Sequence, residues 1–415
     1  MIVRCIFNTA FLGALLTFSP LIRAVEEPVH STITFEEALK RTLSQSPTLK
    51  TSQAEIEERE GERIQSGIYP NPFFSYSVEN VLGNKHWKGW EAAESRYEVA
   101  QLVEIGGQRG HRSKAALYRY YAAQAEYASV QLGLVNELKQ SFLEVVAAQE
   151  LLELATQQRK TSEEALKAVH AKVEAGKVSP IEKNKAMLAA ANSELVLQKA
   201  HVDLDAARHR LSLLWGSPCP DFDRAEYPFF QVDCPNSFQQ CLVENKDNPE
   251  LIKSEFNQLA ASEELALENS LRIPDVIVTV GYKTVQNTNE QGMILGASFP
   301  LPLFDRNQGN IHRGRAETCR LANQYIEKQL QLESKLLLLH KEATRAYDEA
   351  MQLKTTLLQL AHESFTFARD GYNEGKFEYL DLLDSQRTLF DAQARYIQAL
   401  LNFFKKEADI EYLTL

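Results

Sequence analysis

The fold of this chain is decided by the sequence Val276-Ile277-Val278-Thr279-Val280-Gly281-Tyr282-Lys283 and by the stretch that follows it, Met293-Ile294-Leu295-Gly296-Ala297-Ser298-Phe299. In both stretches apolar side chains occupy every second position, a period that is typical of a β-strand with one apolar face. A polar turn containing Asn287, Asn289 and Gly292 separates them. The pattern predicts a hairpin of two strands, about 276–285 and 293–299.

A similar hairpin is predicted in the first half of the chain. Phe74, Tyr76 and Val78 alternate with more polar residues, and a weaker alternation follows, so strands are expected at about 73–81 and 96–103. The turn between them carries Trp87 and Trp90. Such aromatic residues suit the boundary between a membrane and water.

Four strands cannot close into a barrel within one chain. Beyond the N-terminal leader, no run of 18 apolar residues is present that could cross a bilayer as a helix. Since an open sheet edge is not tolerated in lipid, a membrane role requires several copies to share one barrel. Two soluble hairpins in an α+β protein are the alternative.

Helical periodicity covers most of the remaining sequence. Two uninterrupted patterns extend over 107–175 and about 308–374, and at 1.5 Å per residue such helices measure ~100 Å. Helices of this length cross a space rather than fill a core. The last helix has a coiled-coil seam in which only Arg387 is not apolar; it comprises Leu380, Leu383, Arg387, Phe390, Ala394, Ile397, Leu401, Phe404 and Ala408. An earlier helix has an apolar row of four residues spaced seven apart: Ile181, Leu188, Leu195 and Val202.

The same order of proline and glycine signals occurs in both halves of the sequence, which indicates a duplication. Ser46-Pro47 corresponds to Asn248-Pro249, Pro70 to Pro274, and the glycine break at 173–177 to the break at 372–376. These matches predict a first structural repeat at 25–215, an inter-repeat linker at 216–237 and a second repeat at 238–415.

The N-terminus has the pattern of a secretory signal peptide at residues 1–24. Arg4 precedes an apolar run from Ile6 to Phe18, and Ala24 closes the segment. A retained anchor is the alternative, although the run is shorter than the roughly 20 residues that a bilayer requires. Cleavage would reduce the 45 basic residues to 43 against 56 acidic ones, a net charge of −13. This acidity disfavours nucleic-acid binding.

Cysteine spacing matches no zinc pattern. In an oxidising compartment, Cys219 and Cys234 could form a disulfide around the intervening loop, or could remain free thiols. Cys241 and Cys319 are expected as small buried residues on helices.

Chemistry-bearing motifs are absent from the sequence. It contains no nucleophile elbow, phosphate-binding glycine loop, HExxH or CxxC, so we expect neither an enzyme, nor a cofactor, nor a resident metal. The histidines are scattered. His201 and His209 lie eight residues apart on one predicted helix, where solvated side chains are the simpler interpretation.

Two features near the glycine breaks are candidate functional sites. Asp381 and Asp384 lie three residues apart at the start of the last helix, where symmetry could multiply them into an acidic ring. The alternative is a helix N-terminus carrying acids that suit its dipole. The breaks themselves place two turns at one tip, where a partner could bind; plain helix–helix turns are the alternative. These turns comprise Gly176, Lys177, Val178, Ser179 and Gly375, Lys376, Phe377.

Together these residues resemble the TolC family of outer-membrane efflux proteins over essentially all of the mature chain. Two strand-to-helix signatures resemble its cation-efflux branch, the CzcC-like proteins: 101–109, with Gly106, Gly107 and Arg109, and 299–309, with Pro300, Pro302 and Gly309. The sequence departs from the branch pattern at Gln108, where lysine is usual.

The resemblance implies a mainly α protein with a membrane β-barrel. Each chain of a homotrimer would give four strands to a 12-stranded barrel in the lipid bilayer, continued through the periplasm by a long antiparallel coiled-coil tunnel. The tip turns would contact a periplasmic adaptor that couples the channel to an inner-membrane pump of the resistance-nodulation-division type. Asp381 and Asp384 would occupy the periplasmic entrance.

We therefore expect a passive exit duct in the outer membrane, serving a proton-driven tripartite pump that exports heavy-metal cations. A channel of the same fold for drug efflux or type I protein secretion is the nearer alternative. A periplasmic coiled-coil protein without a pore is the more distant one.

Overall fold

A computed structural model describes residues 32–414 except 88, 236 and 245–247, so the predicted signal peptide at 1–24 lies outside the described residues. The strands are β1 Thr32–Thr34, β2 Phe73–Glu79, β3 Glu94–Val103, β4 Arg224–Glu226, β5 Val276–Val285 and β6 Glu290–Ser298. The helices are α1 Phe35–Gln45, α2 Pro47–Ser66, α3 Gln108–Glu174, α4 Pro180–Leu213, α5 Phe238–Glu244, α6 Pro249–Ser270, α7 Gln308–Gln352, α8 Leu358–Asn373 and α9 Tyr379–Thr414.

The four predicted strands form one antiparallel sheet in the order β2-β3-β5-β6. The central pair β3–β5 joins the two halves of the chain, with Val103 opposite Val276 and Glu94 opposite Val285. Within the described residues, β2 and β6 each have a strand neighbour on one side only. Because the sheet ends on both sides in an open edge, one chain holds an incomplete sheet.

Two helical rods extend from this sheet. α3 contains 67 residues, and by its rise of 1.5 Å per residue it is about 100 Å long. α7 and α8 form the second rod, because the π-helical turn Leu353–Leu357 connects them without a break in the helix. In the described part of the chain, no helix is both long enough and apolar enough to span a membrane.

The main hydrophobic core lies midway along the rods, where α3, α4, α7 and α9 meet the small parallel β1–β4 sheet. Phe142 and Phe403 are fully buried there, and the ring of Phe142 makes an edge contact with Phe35 of α1. The segment predicted as a linker, 216–237, contains β4 and packs Phe222 and Phe229 into this core.

The two predicted apolar seams differ in the structure. On α9 most of the seam is buried, whereas Ala394 is half-buried and Leu380 and Arg387 are exposed. On α4 the row spaced by seven faces solvent, with Ile181 60% and Leu188 71% exposed. The chain buries the opposite side of α4 instead, through Ala186, Leu197 and Leu204. Helical spacing therefore predicted an apolar row on α4, but it did not predict which side of the helix the chain buries.

The cysteines also differ from expectation. Cys219 and Cys234 are free and exposed, so this structure has the free thiols and not the possible disulfide. Cys241 is buried as expected, whereas Cys319 is exposed on α7. Since the segment between Cys219 and Cys234 is already held by β4 and its buried phenylalanines, its conformation does not depend on a covalent link.

Candidate functional site: the helical tips and the strand-to-helix junctions

The predicted tip turns have the same construction in both halves. After α3, Gly176 adopts φ +70°, and the Lys177 N–H donates to the Lys172 carbonyl at 2.9 Å. After α8, Gly375 adopts φ +78°, and the Lys376 N–H donates to the Gly371 carbonyl at 2.8 Å. A left-handed glycine closes both helices, since a side chain would be strained there.

The next helix begins immediately after each turn. The Ser179 hydroxyl caps α4 by accepting from the Ile181 N–H. At α9, the Asp381 carboxylate accepts from the Glu378 N–H at 3.2 Å. The long rods therefore reverse direction within a few residues, which leaves Lys177, Lys376 and Phe377 exposed at the tips.

The structure brings the two tips together. Lys172 of α3 donates from Nζ to the backbone carbonyl of Tyr372 at 2.6 Å, and the same ammonium lies 3.6 Å from the centre of the Tyr372 ring. Around this contact, residues of both hairpins form a small core: Val169, Ala186, Tyr372, Tyr379, Leu382 and Leu383. Neither Lys172 nor Tyr379 was selected from the sequence, although aromatic residues flanking a glycine break were a usable signal.

Burial is the main cause of the pKa shifts of Lys172 and Tyr372 in this tip core. Burial lowers the pKa of Lys172, against the attraction of Glu182. Burial also raises the pKa of Tyr372 to about 12, and the negative charge of Glu182 adds to this rise. The Tyr372 hydroxyl and the Glu182 Oε2 atom are buried and have no hydrogen-bond partner among the described residues. The tyrosine is therefore neutral at pH 7.

Asp381 and Asp384 lie on the opposite face of α9 from the buried Leu382 and Leu383. Both side chains are exposed, and neither forms an ion pair with a described residue. The first carboxylate caps its helix, as the simpler interpretation expected, and the second is directed to solvent. Their exposed position leaves both charges available to ions outside the chain.

The first strand-to-helix signature docks tightly within the chain. Gly106 lies so close to the Ser270 carbonyl that a Cβ atom would be 2.8 Å from its oxygen, and Gly107 begins α3 in the left-handed conformation. Arg109 lies over the ring of Tyr69, with 3.5 Å from its guanidinium carbon to the ring centre. This glycine pair therefore forms a closely packed connection between sheet and rod.

The second signature is more exposed than the first. Pro300, Pro302 and Gly309 are exposed, as are the apolar residues between them. Asn307 begins α7 with φ +60° and donates from its amide to the Glu268 backbone carbonyl at 2.8 Å. The two signatures therefore have the same place in the fold but different surroundings.

A metal centre is not formed by the described side chains: no three His, Cys, Asp or Glu residues among them are grouped to hold an ion. His201 and His209 are exposed on α4. The arrangement instead offers a long helical body, a short sheet and a tip that carries two exposed acids, Asp381 and Asp384.

Known proteins with similar sequences belong to one family of outer-membrane proteins. The family model described as outer membrane efflux protein matches residues 38–217 and 244–414. The cobalt-zinc-cadmium resistance protein CzcC of Cupriavidus metallidurans is 31% identical over 383 residues, covering 91% of this chain and 89% of the relative. The nickel-cobalt-cadmium resistance protein NccC of Alcaligenes xylosoxydans xylosoxydans is 27% identical over 294 residues, 70% of this chain and 64% of the relative.

The fold has solved counterparts. The outer membrane protein VceC from Vibrio cholerae matches 92% of this chain and 95% of its own, with a TM-score of 0.77 at 16% identity. The predicted fold class, long helices joined to strands of an outer-membrane channel, is thereby confirmed. From its matched sequence and its architecture, this chain belongs to the outer membrane efflux protein family.

Proposed function

We propose that this outer-membrane efflux channel is the passive exit duct of a tripartite, proton-driven pump for heavy-metal cations. Three copies would form the duct, and each structural repeat, 25–215 and 238–415, would supply one strand hairpin and one helical hairpin. A periplasmic adaptor and an inner-membrane pump of the resistance-nodulation-division type would complete the system.

The open edges of β2 and β6 carry this proposal. Each edge presents backbone N–H and C=O groups that have no partner strand among the described residues, and in lipid such groups cost several kcal/mol each. Pairing β6 of one copy with β2 of the next would satisfy both edges at once. Three copies would then give 12 strands and no edge.

Exposed apolar stripes along the rods support packing between copies. The α4 row faces solvent at Ile181, Leu188 and Leu195, and α7 exposes Ile326 and Leu330. Apolar stripes of this extent on a single chain mark surfaces that another protein covers. Rods packed side by side in a ring would bury them and enclose a tunnel.

The tip turns are the proposed adaptor contact. Gly176, Lys177 and Ser179 of the first turn and Gly375 and Lys376 of the second are exposed at the ends of the rods. Val178 is half-buried, and Phe377 is half-exposed beside Gly371. These turns are the parts of the chain farthest from the sheet, so a periplasmic partner would meet them first.

Asp381 and Asp384 are the proposed periplasmic gate. Threefold repetition would place six carboxylates around one entrance, where they would attract cations and repel anions. The contact from Lys172 to Tyr372 holds the second hairpin, which carries these acids, against the first. The same contact therefore controls the position of the acidic residues.

Metal cations are the proposed cargo because two relatives, CzcC and NccC, are described as metal resistance proteins. A duct need not bind its cargo, so the lack of a ligand cluster among the described residues is compatible with metal export. Deleting the gene should lower tolerance to zinc, cobalt and cadmium by several-fold. If only tolerance to organic toxins falls, the cargo assignment is wrong and drug efflux replaces it.

Pore formation is tested by conductance of the signal-cleaved protein in planar bilayers, with the reversal potential measured in a salt gradient. Discrete cation-selective steps from a heat-modifiable trimer are expected. A soluble monomer that is absent from outer membranes would refute the duct and support the structural coiled-coil alternative.

A further inference from the structure

We infer that the β6–α7 junction, residues 299–307, docks onto the α2–β2 turn, residues 67–72, of a second copy of this chain. Gln308 would make there the contacts that Gln108 makes within one chain. This inference rests on the proposed shared barrel and names the residues that would join its subunits between membrane and tunnel.

The template is the contact made by Gln108, the first residue of α3. Its side chain is only 1% exposed and donates from Nε2 to the Ile273 carbonyl at 3.2 Å and to Asp275 Oδ1 at 2.9 Å. Both acceptors lie in the turn between α6 and β5. One glutamine thus connects the start of a rod in the first repeat to the strand entry of the second.

Gln308 has the same structural position in the second repeat. It is the first residue of α7 and follows a left-handed residue, Asn307, as Gln108 follows left-handed Gly107. Yet Gln308 is exposed, and among the described residues its amide makes only local contacts, accepting from the Arg306 N–H and donating to the Phe304 carbonyl. Among the described residues, no turn lies against Gln308 in the way that the α6–β5 turn lies against Gln108.

That equivalent exists at the other edge of the sheet. The Ile273-Pro274-Asp275 turn corresponds to Tyr69-Pro70-Asn71 in the first repeat. Asn71 is exposed, and its side-chain oxygen can accept a hydrogen bond as Asp275 does. α2, which precedes this turn, packs mainly on α3, whereas its counterpart α6 lies between α3 and α7. α2 therefore has one uncovered side.

Apolar surface on both segments agrees with this docking. The β6–α7 junction has nine residues against four, 104–107, at the β3–α3 junction. The longer segment exposes Leu301, Leu303 and Phe304, the last at 90%. The α2–β2 turn exposes Ile68 and Tyr69. If β2 of the next copy extends the sheet beyond β6, it brings that turn beside the junction, as β5 brings the α6–β5 turn beside Gln108.

A thiol crosslink tests the contact. In a protein whose Cys219, Cys234, Cys241 and Cys319 are replaced by Ala, Gln308→Cys is combined with Asn71→Cys, and a short bifunctional thiol reagent is added. Within one chain these positions adjoin opposite edges of the sheet, at least about 14 Å apart across three strand spacings. Covalent dimers and trimers on a denaturing gel are therefore expected, and each single variant should give no covalent trimer.

The matched control is Gln108→Cys with Asp275→Cys, which should link within one chain and give only monomers. Trimers that form and conduct, but show no crosslink between positions 71 and 308, would overturn this docking and leave the proposed duct intact; the junction would then face lipid. If no trimers form at all, both the docking and the proposed trimeric duct are refuted.

Discussion

Lys172 and Tyr372 lie 200 residues apart in sequence, and the lysine Nζ donates to the tyrosine carbonyl at 2.6 Å. This hydrogen bond joins the tip of the first helical hairpin to that of the second. It does so beside the buried rings of Tyr372 and Tyr379, whose centres are 5.8 Å apart. The tip is thus one packed unit, which includes Leu382 and Leu383 beside the two acids of α9.

Replacing Lys172 with Met should loosen this unit. A hydrogen bond from a charged donor contributes about 1.5–3 kcal/mol, less when partly solvated, so a loss of about 1 kcal/mol is expected. That loss would raise the open fraction of the channel roughly five-fold. Single-channel recording in planar bilayers measures it, with Lys177→Met at the exposed turn as control. Equal open fractions in both variants would contradict a holding role.

Tyr372 should titrate late. Its folded-state pKa of about 12 lies above its ordinary value of 10, so the unfolded chain loses the proton first as pH rises. The protonated Tyr372 hydroxyl therefore contributes fully to the free energy of unfolding below pH 10, and this contribution is lost as the pH rises through about 12. Ultraviolet difference spectra between wild type and Tyr372→Phe should show one tyrosine ionising near pH 12. Ionisation near pH 10 would mean that the ring is solvated; Tyr121→Phe serves as the comparison.

Replacing Asp381 and Asp384 together with Asn should weaken cation selectivity. Six carboxylates would be neutralised in a trimer, so the reversal potential in a salt gradient should move towards zero. Asp348→Asn combined with Glu349→Gln, two exposed acids on α7, removes the same charge from each chain away from the tip. A reversal potential identical to that of wild type would remove the gate assignment and leave the barrel untouched.

Leu188→Asp with Leu195→Asp should prevent assembly without unfolding the chain. Both side chains are exposed in the single chain, at 71% and 63%, so the monomer loses little apolar burial. In the trimer each leucine would forfeit about 1.5–3 kcal/mol of burial. Native mass measurement should show monomers with unchanged helical circular dichroism. Trimers in the leucine variant would place the row outside the subunit contact.

Cys219 and Cys234 should react with maleimide in the native protein, because both thiols are free and exposed. Cys241 is buried and should react only after denaturation. Mass spectrometry after labelling counts the modified sites. Protection of both Cys219 and Cys234 that is released by a reductant would show that they are bonded after all.

Much of the architecture follows from local pattern. Alternation at 276–285 and helical spacing after Gln108 depend on residues within a few positions of each other, so strand and rod boundaries were predicted to within a few residues. The turns at Gly176 and Gly375 were located for the same reason, since a left-handed residue is a local requirement.

The sequence alone therefore determined the elements, their order along the chain and the two hairpins, whereas tertiary structure decided which surfaces meet, including the β3–β5 pair that joins the hairpins into one sheet. Spacing identified the apolar row at Leu188 but could not show that the chain buries the other side of α4. The contact between Lys172 and Tyr372 was not predicted, because a pairing across 200 residues leaves no periodic trace. Likewise the Cys219–Cys234 spacing permitted a bond, but packing of the β4 segment fixed that loop without one. Periodicity in the sequence shows which side of a helix or strand is apolar. Only the tertiary structure shows which residues pack against that side.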